Sequence, residues 1–156
     1  MSQKTLERLE YLRKRNSNRE WINRNLYRLM YEEDLYILAY ERIKSKPGNM
    51  TPGSDGETLD GFSRRDIQKI IQDLQTEQFR FKPVRRQFIP KANGKMRKLG
   101  IPSVRDKVVQ EVIRMILEAI YDSPYGPYFR ESSHGFRPNR SCHTKFKRIP
   151  KELASN

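Results

Sequence analysis

Two short β-compatible runs, Val84 to Ile89 and Met96 to Ile101, stand on either side of Asn93-Gly94. That dipeptide between such runs is the strongest short-range signal for a β-hairpin, so the sequence predicts a two-stranded antiparallel ribbon with its turn near residue 93. The stretch RRQFIPKANGKMRKLGIP carries Arg85, Arg86, Lys91, Lys95, Arg97 and Lys98 and no acid. Two isolated strands are marginal in water, so other elements have to hold this ribbon. The flanking patterns are helical, and the fold class they predict is α+β, mostly helical with a small antiparallel ribbon.

The charge says what such a ribbon could meet. The chain has 156 residues, and its 32 Lys and Arg against 19 Asp and Glu give a net charge of +13. From Arg80 to Arg114 there are eleven basic residues and two acidic ones, Asp106 and Glu111, so this stretch supplies +9 of that +13. A field of this sign and clustering attracts polyanions, and nucleic acid before small metabolites. A membrane surface fits less well, because Pro and Gly punctuate the basic run and no amphipathic helix forms from it. The apolar fraction of 35% is lean for a self-contained globule and suggests an extended module or a part of something larger.

Cys142 has no partner for an internal disulfide, and with His134 and His143 it lacks a zinc-binding spacing. No apolar run approaches the roughly 20 residues of a membrane span, and no signal h-region is present. Glu7, Glu10 and Glu20 argue against an organellar presequence, so the expected location is the cytoplasm, or an organellar matrix in a eukaryotic host.

Helices occupy much of the remainder. Leu6, Leu9 and Leu12, then Ile22, Leu26 and Leu29, then Leu35, Leu38 and Ile43 recur at helical steps and predict two or three short helices before about residue 45. Glu32, Glu33 and Asp34 suit the positive end of a helix dipole better than a metal site. A loop rich in Gly, Pro and Ser follows to about residue 62. There Gly53, Gly56 and Gly61 permit positive φ or a close backbone approach, and Asp55 can form a local turn. Ser63 with Asp66 reads as a capping box for a helix burying Ile67, Ile70, Ile71 and Leu74. Pro102 suits the start of the longest helix, whose stripe is Val104, Val108, Val112, Met115, Ile116, Ala119 and Ile120. Beyond it, Arg137 and Arg140 flank Pro138-Asn139 in a loop able to lie on a phosphate backbone.

Three blocks, GSDGETLDGF, PVRRQFIPKANGKMRKLGIPSVRDKVVQEVIRMILEAIYDSPYGPYF and SHGFRPNRSCHT, resemble in order and spacing the N-terminal portion of group II intron reverse transcriptases, which also act as maturases. The similarity runs from about residue 20 to 148. It implies a basic helical extension over 1–45, a fingers region of a right-hand polymerase over 46–149 and a divergent tail over 150–156. By the same resemblance Lys91 and Arg97 match the ligands of the incoming nucleotide's triphosphate. The resemblance further implies that the Gly53, Asp55 and Gly56 loop lies against template and primer and that Arg85, Arg86, Arg137 and Arg140 contact nucleic-acid backbone, while the position of Lys95 beside the hairpin turn predicts a phosphate contact for it too. The implied partners are group II intron RNA, RNA template and primer, a deoxynucleoside triphosphate, and a palm domain or a second copy of the chain.

Departures from the family qualify the implication. Family members continue into a palm whose aspartates hold two Mg²⁺ ions. The 156 residues contain no Tyr/Phe-Ala-Asp-Asp turn, so no cofactor is expected in this chain, Mg²⁺ is expected only with a palm, and no polymerisation by the chain alone. Lys98 stands where Pro is common, while Lys145 and Pro150 depart from the expected helix, which suggests a truncated chain or an interrupted reading frame. Two functions are open at this point: a polymerase fingers fragment, or a self-sufficient, non-catalytic RNA-binding maturase remnant that aids splicing.

Overall fold

A computed structural model describes residues 3–126 and 128–146; the tail reading from residue 150 onward lies outside the described residues. Helix α1 (Gln3–Arg15) is followed by a 3-10 segment (Leu26–Tyr31), α2 (Glu33–Lys44), a short 3-10 turn (Leu59–Gly61) and α3 (Arg64–Gln75). Strands β1 (Arg85–Pro90) and β2 (Met96–Ile101) then form the ribbon, and α4 (Val104–Tyr121) follows.

Helix α4 is the axis of the core. Val104, Val108, Val112, Met115, Ile116, Ala119 and Ile120 are all buried, as their three- and four-residue spacing requires of one helix face. That face packs on α2, through Leu35, Tyr36, Leu38, Ala39 and Ile43, and on α1, through Leu9 and Leu12. Each such side chain removed from water contributes roughly 1.5–3 kcal/mol, which is what holds the short helices in place. Tyr36 is fully buried, and its hydroxyl donates to the carbonyl of Met30 at 2.6 Å. Burial pushes its phenol far above its ordinary range.

Several local signals act as their sequence implies. Asp66 accepts from the Ser63 N–H at 2.8 Å and from the Ser63 hydroxyl at 2.6 Å, closing the start of α3, and Ile67, Ile70 and Leu74 are buried behind it. Ile71 is only partly buried. Ser103 caps α4 by accepting from the Asp106 N–H at 3.2 Å. Glu33 and Asp34 lie in the first turn of α2, with Glu32 just before it; Glu32 pairs with Arg8 of α1 and Glu33 with Arg64 of α3.

The expected helix through Ile22, Leu26 and Leu29 does not form. The segment is irregular until a 3-10 turn begins at Leu26, and Ile22 is 70% exposed. Asn25 sits in the left-handed region at φ 60°, and the amides of Asn16 and Asn23 bond each other reciprocally at 3.1 and 2.6 Å. Short Asn side chains that find partners in this way stabilise the irregular backbone over the helix that the apolar spacing implies. Leu6 is likewise exposed, so the buried stripe of α1 is Leu9 and Leu12 with Thr5.

Candidate nucleic-acid interface

The ribbon projects from the helical body with nearly every residue open to solvent on both faces. Its register pairs Arg85 with Ile101, Gln87 with Leu99 and Ile89 with Arg97 on one face, and Arg86 with Gly100, Phe88 with Lys98 and Pro90 with Met96 on the other. Paired residues point the same way and alternate along the strand, so Lys91, two beyond Ile89, continues the face that carries Arg97. The turn spans Ala92-Asn93-Gly94. The Lys91 N–H donates to the Lys95 carbonyl at 2.8 Å, the Gly94 N–H donates to the Lys91 carbonyl at 3.0 Å, and Gly94 takes φ 76°. Asn93 contributes its side chain, accepting from the Lys95 N–H at 3.2 Å. This is a three-residue hairpin loop closed by a left-handed Gly.

The side chains of Arg86, Lys91, Lys95, Arg97 and Lys98 have no hydrogen-bond or ion-pair partner among the described residues. All are exposed. Between them stand exposed Phe88, Ile89, Met96 and Leu99. Cations interleaved with flat or flexible apolar groups form a surface able to neutralise phosphate and to lie against bases or sugars.

The base of the ribbon is built from the Gly-rich loop. Gly53 has ordinary backbone angles, and its special feature is proximity: a Cβ there would stand 2.6 Å from the Ser103 Cα and 2.8 Å from the Pro102 carbonyl oxygen. Its missing side chain thus lets the loop lie on the start of α4. Gly56 takes φ 76° with open space around it. Asp55 pairs with Lys82 at 2.9 Å. Burial acts to raise the Asp55 carboxyl, but the Lys82 bond, the Glu57 N–H and the Lys82 charge outweigh it and hold it below its ordinary value. Arg85 donates from Nε to the Pro52 carbonyl at 3.0 Å, so this Arg is tied to the loop.

Three contributors at the base are outside the sequence reading. Lys107 donates to the carbonyls of Asn49 at 2.7 Å and Thr51 at 2.6 Å, and burial lowers its ammonium from the ordinary range. Ser54 donates to the Pro83 carbonyl at 2.7 Å. Asp106, almost wholly buried, accepts from the Lys82 N–H at 2.9 Å. Each bond joins residues 24 to 58 positions apart, so no local pattern marks them.

The C-terminal loop uses its arginines internally. Arg137, with an 8% exposed side chain, forks onto Asp122 and also donates to the carbonyls of Ser133 at 3.1 Å and Arg130 at 3.2 Å. Arg140 donates to the carbonyls of Ser133 and Glu131. Arg137 braces the loop on the end of α4 and Arg140 ties the loop to itself, so neither is an open cation like those of the ribbon. No group of three or more metal-ligating side chains occurs among the described residues, and no helix there is long and apolar enough to cross a membrane.

Similarity over most of its length shows that the chain belongs to the group II intron-encoded proteins. Among its relatives it is 48% identical over 129 residues to the group II intron-encoded protein LtrA of Lactococcus lactis, covering 82% of this chain and 21% of LtrA. It is 48% identical over 151 residues to a 91 kDa protein in the cob intron of Schizosaccharomyces pombe, covering 95% of this chain and 18% of that protein. The COX1/OXI3 intron 1 protein of Saccharomyces cerevisiae is 50% identical over 129 residues, covering 83% of this chain and 15% of its own length. The chain thus spans about a fifth or less of these relatives. No family model matches the chain.

Proposed function

We propose that this chain is the fingers part of a group II intron reverse transcriptase and maturase, holding intron RNA, template and primer, and contributing the clamp on the incoming nucleotide. The observation that carries this reading is the ribbon tip, where Lys91 and Arg97 share one face with no partner among the described residues. A Lys point charge and an Arg fork on one face suit a triphosphate, whose charge is spread over several oxygens. Arg86, Lys95 and Lys98 supply further backbone contacts without base readout. The loop from Gly53 to Gly56 acts as the footing of the ribbon. Exposed Leu117, Tyr121, Phe129 and Phe136 beside the end of α4 form the apolar surface on which a palm docks.

The test is binding to a folded group II intron RNA and to an unrelated RNA of equal length across a salt series. Tighter binding to the intron that persists as salt rises supports recognition of shape beyond phosphate attraction. Equal affinities that fall together would leave a generic basic clamp and overturn the maturase half of the reading. For the nucleotide clamp, Arg97→Ala in a chain joined to a palm is expected to weaken deoxynucleotide binding while leaving RNA affinity nearly unchanged. A uniform loss of RNA affinity instead would refute it.

A further inference from the structure

A second basic, aromatic site lies on the opposite part of the sequence, between α1 and the irregular segment that replaces the expected second helix. Arg15, at the end of α1, places its guanidinium 5.1 Å from the Tyr11 ring centroid and 4.8 Å from that of Trp21. Its Nε donates to the Tyr11 hydroxyl at 2.9 Å, and the other four N–H groups have no acceptor among the described residues. The rings and Arg15 wall an open cavity of about 280 Å³, completed by Arg8, Arg24 and Leu26. Tyr11 is 56% exposed and Trp21 38%, although both are large aromatic groups. Arg24 has no partner among the described residues, and none of the residues lining the cavity is acidic.

The walls are held in place. Buried Asn16 bonds the Leu12 carbonyl at 2.8 Å and Asn23 reciprocally, fixing the irregular segment against the end of α1, and the Trp21 N–H donates to the Asn18 carbonyl at 3.0 Å. The irregular backbone that departs from the sequence expectation is therefore what carries Trp21 to Arg15. Arg8 on the rim is paired with Glu32, so the charge left for a ligand is that of Arg15 and Arg24; with the exposed aromatic rings these two select a ligand with a flat π-face and an attached anion. We infer that the cavity between α1 and residues 21–26 takes one unpaired nucleotide of a single-stranded RNA, its base on the Tyr11 and Trp21 rings and its phosphate on Arg15 and Arg24. The site chemistry specifies a nucleotide. The RNA-holding reading above supplies only the choice of RNA as the polymer.

Trp21 is the chain's single tryptophan, so it reports its own site. The full chain is titrated with a short single-stranded oligoadenylate, the same oligomer with abasic positions, a fully paired duplex of equal length, free adenosine monophosphate and an oligoglutamate peptide, following tryptophan fluorescence and the anisotropy of labelled RNA. The expected result is quenching by the oligoadenylate that the abasic oligomer does not reproduce, with affinity lower by about tenfold or more when the base is missing. Tyr11→Ala, which keeps the reporter, is expected to lose a similar factor with an unchanged salt slope. Equal quenching by abasic RNA or by oligoglutamate would overturn the inference in favour of a plain anion site. Saturation by the free monophosphate at the same concentration as the oligomer would overturn it in favour of a free-nucleotide site. The abasic comparison uses the unaltered chain, so a misfolded variant does not spoil it. It is also independent of the intron-versus-unrelated-RNA comparison, so the two readings can fail separately.

Discussion

Replacing Gly53 by Ala adds one methyl group, and the structure states what that group meets. The new Cβ would stand 2.6 Å from Ser103 Cα, 2.7 Å from Ser103 N and 2.8 Å from the Pro102 carbonyl oxygen. All three are backbone atoms at the start of α4, so no rotamer change relieves the contact. The loop itself has little freedom to withdraw, because Lys107 holds the carbonyls of Asn49 and Thr51 and Arg85 holds that of Pro52. Overpacking of this kind costs about 1–3 kcal/mol, and displacing Ser103 from its cap on Asp106 adds about 1 kcal/mol. A total near 3 kcal/mol lowers the Tm of a domain this size by roughly 6–12 °C. Gly56→Ala and Gly61→Ala are the internal controls. Both positions have open space, but Gly56 sits at φ 76°, so its change costs about 1 kcal/mol, and that at Gly61 close to nothing. Urea unfolding of the three variants gives the order directly. A Gly53→Ala variant no less stable than Gly61→Ala would refute the packing of the loop on α4 and, with it, the loop's role as the ribbon's footing.

Arg137→Ala leaves the nearly buried Asp122 carboxylate without its partner and is expected to cost about 3 kcal/mol in chemical denaturation. Arg86→Ala, at an exposed position with no partner among the described residues, should change stability by less than about 0.5 kcal/mol yet reduce the salt dependence of RNA binding by roughly one counterion. The pair thus separates a bracing arginine from a binding one. Asp55 and Asp66 both carry folded-state pKa values below the ordinary 3.8, Asp66 chiefly through the Ser63 hydroxyl. Their contribution is therefore complete above the unfolded value and lost as pH falls through the folded ones, so the urea midpoint should drop in acid below pH 3.8. Asp66→Asn should flatten that drop.

Much of the fold was legible because its determinants are close in sequence. The stripe of α4, the Ser63–Asp66 cap and the hairpin turn each lie within a few residues of the partners that complete them, so periodicity and turn chemistry suffice. The candidate interface was legible in part for the same reason, since alternation along the ribbon puts Lys91 and Arg97 on one face. The segment around Ile22 was misread because its apolar spacing is helical, while the Asn16–Asn23 pair that stabilises another path requires α1 to be in place.

The sequence by itself determined where the positive charge is, the helices whose buried stripes are regular, such as α3 and α4, and that a ribbon would carry cations outward. Only the tertiary structure decided which cations are free. Arg85, Arg137, Arg140 and Lys107 look in sequence like Arg86, Arg97 and Lys98, yet the first four are spent on carbonyls or a carboxylate within the protein. A charged side chain takes whatever acceptor packing brings within about 3 Å, and that acceptor can be 56 residues away, as it is for Lys107 and Thr51. Composition counts charges, but burial and long-range hydrogen bonds assign them to the fold or to a partner.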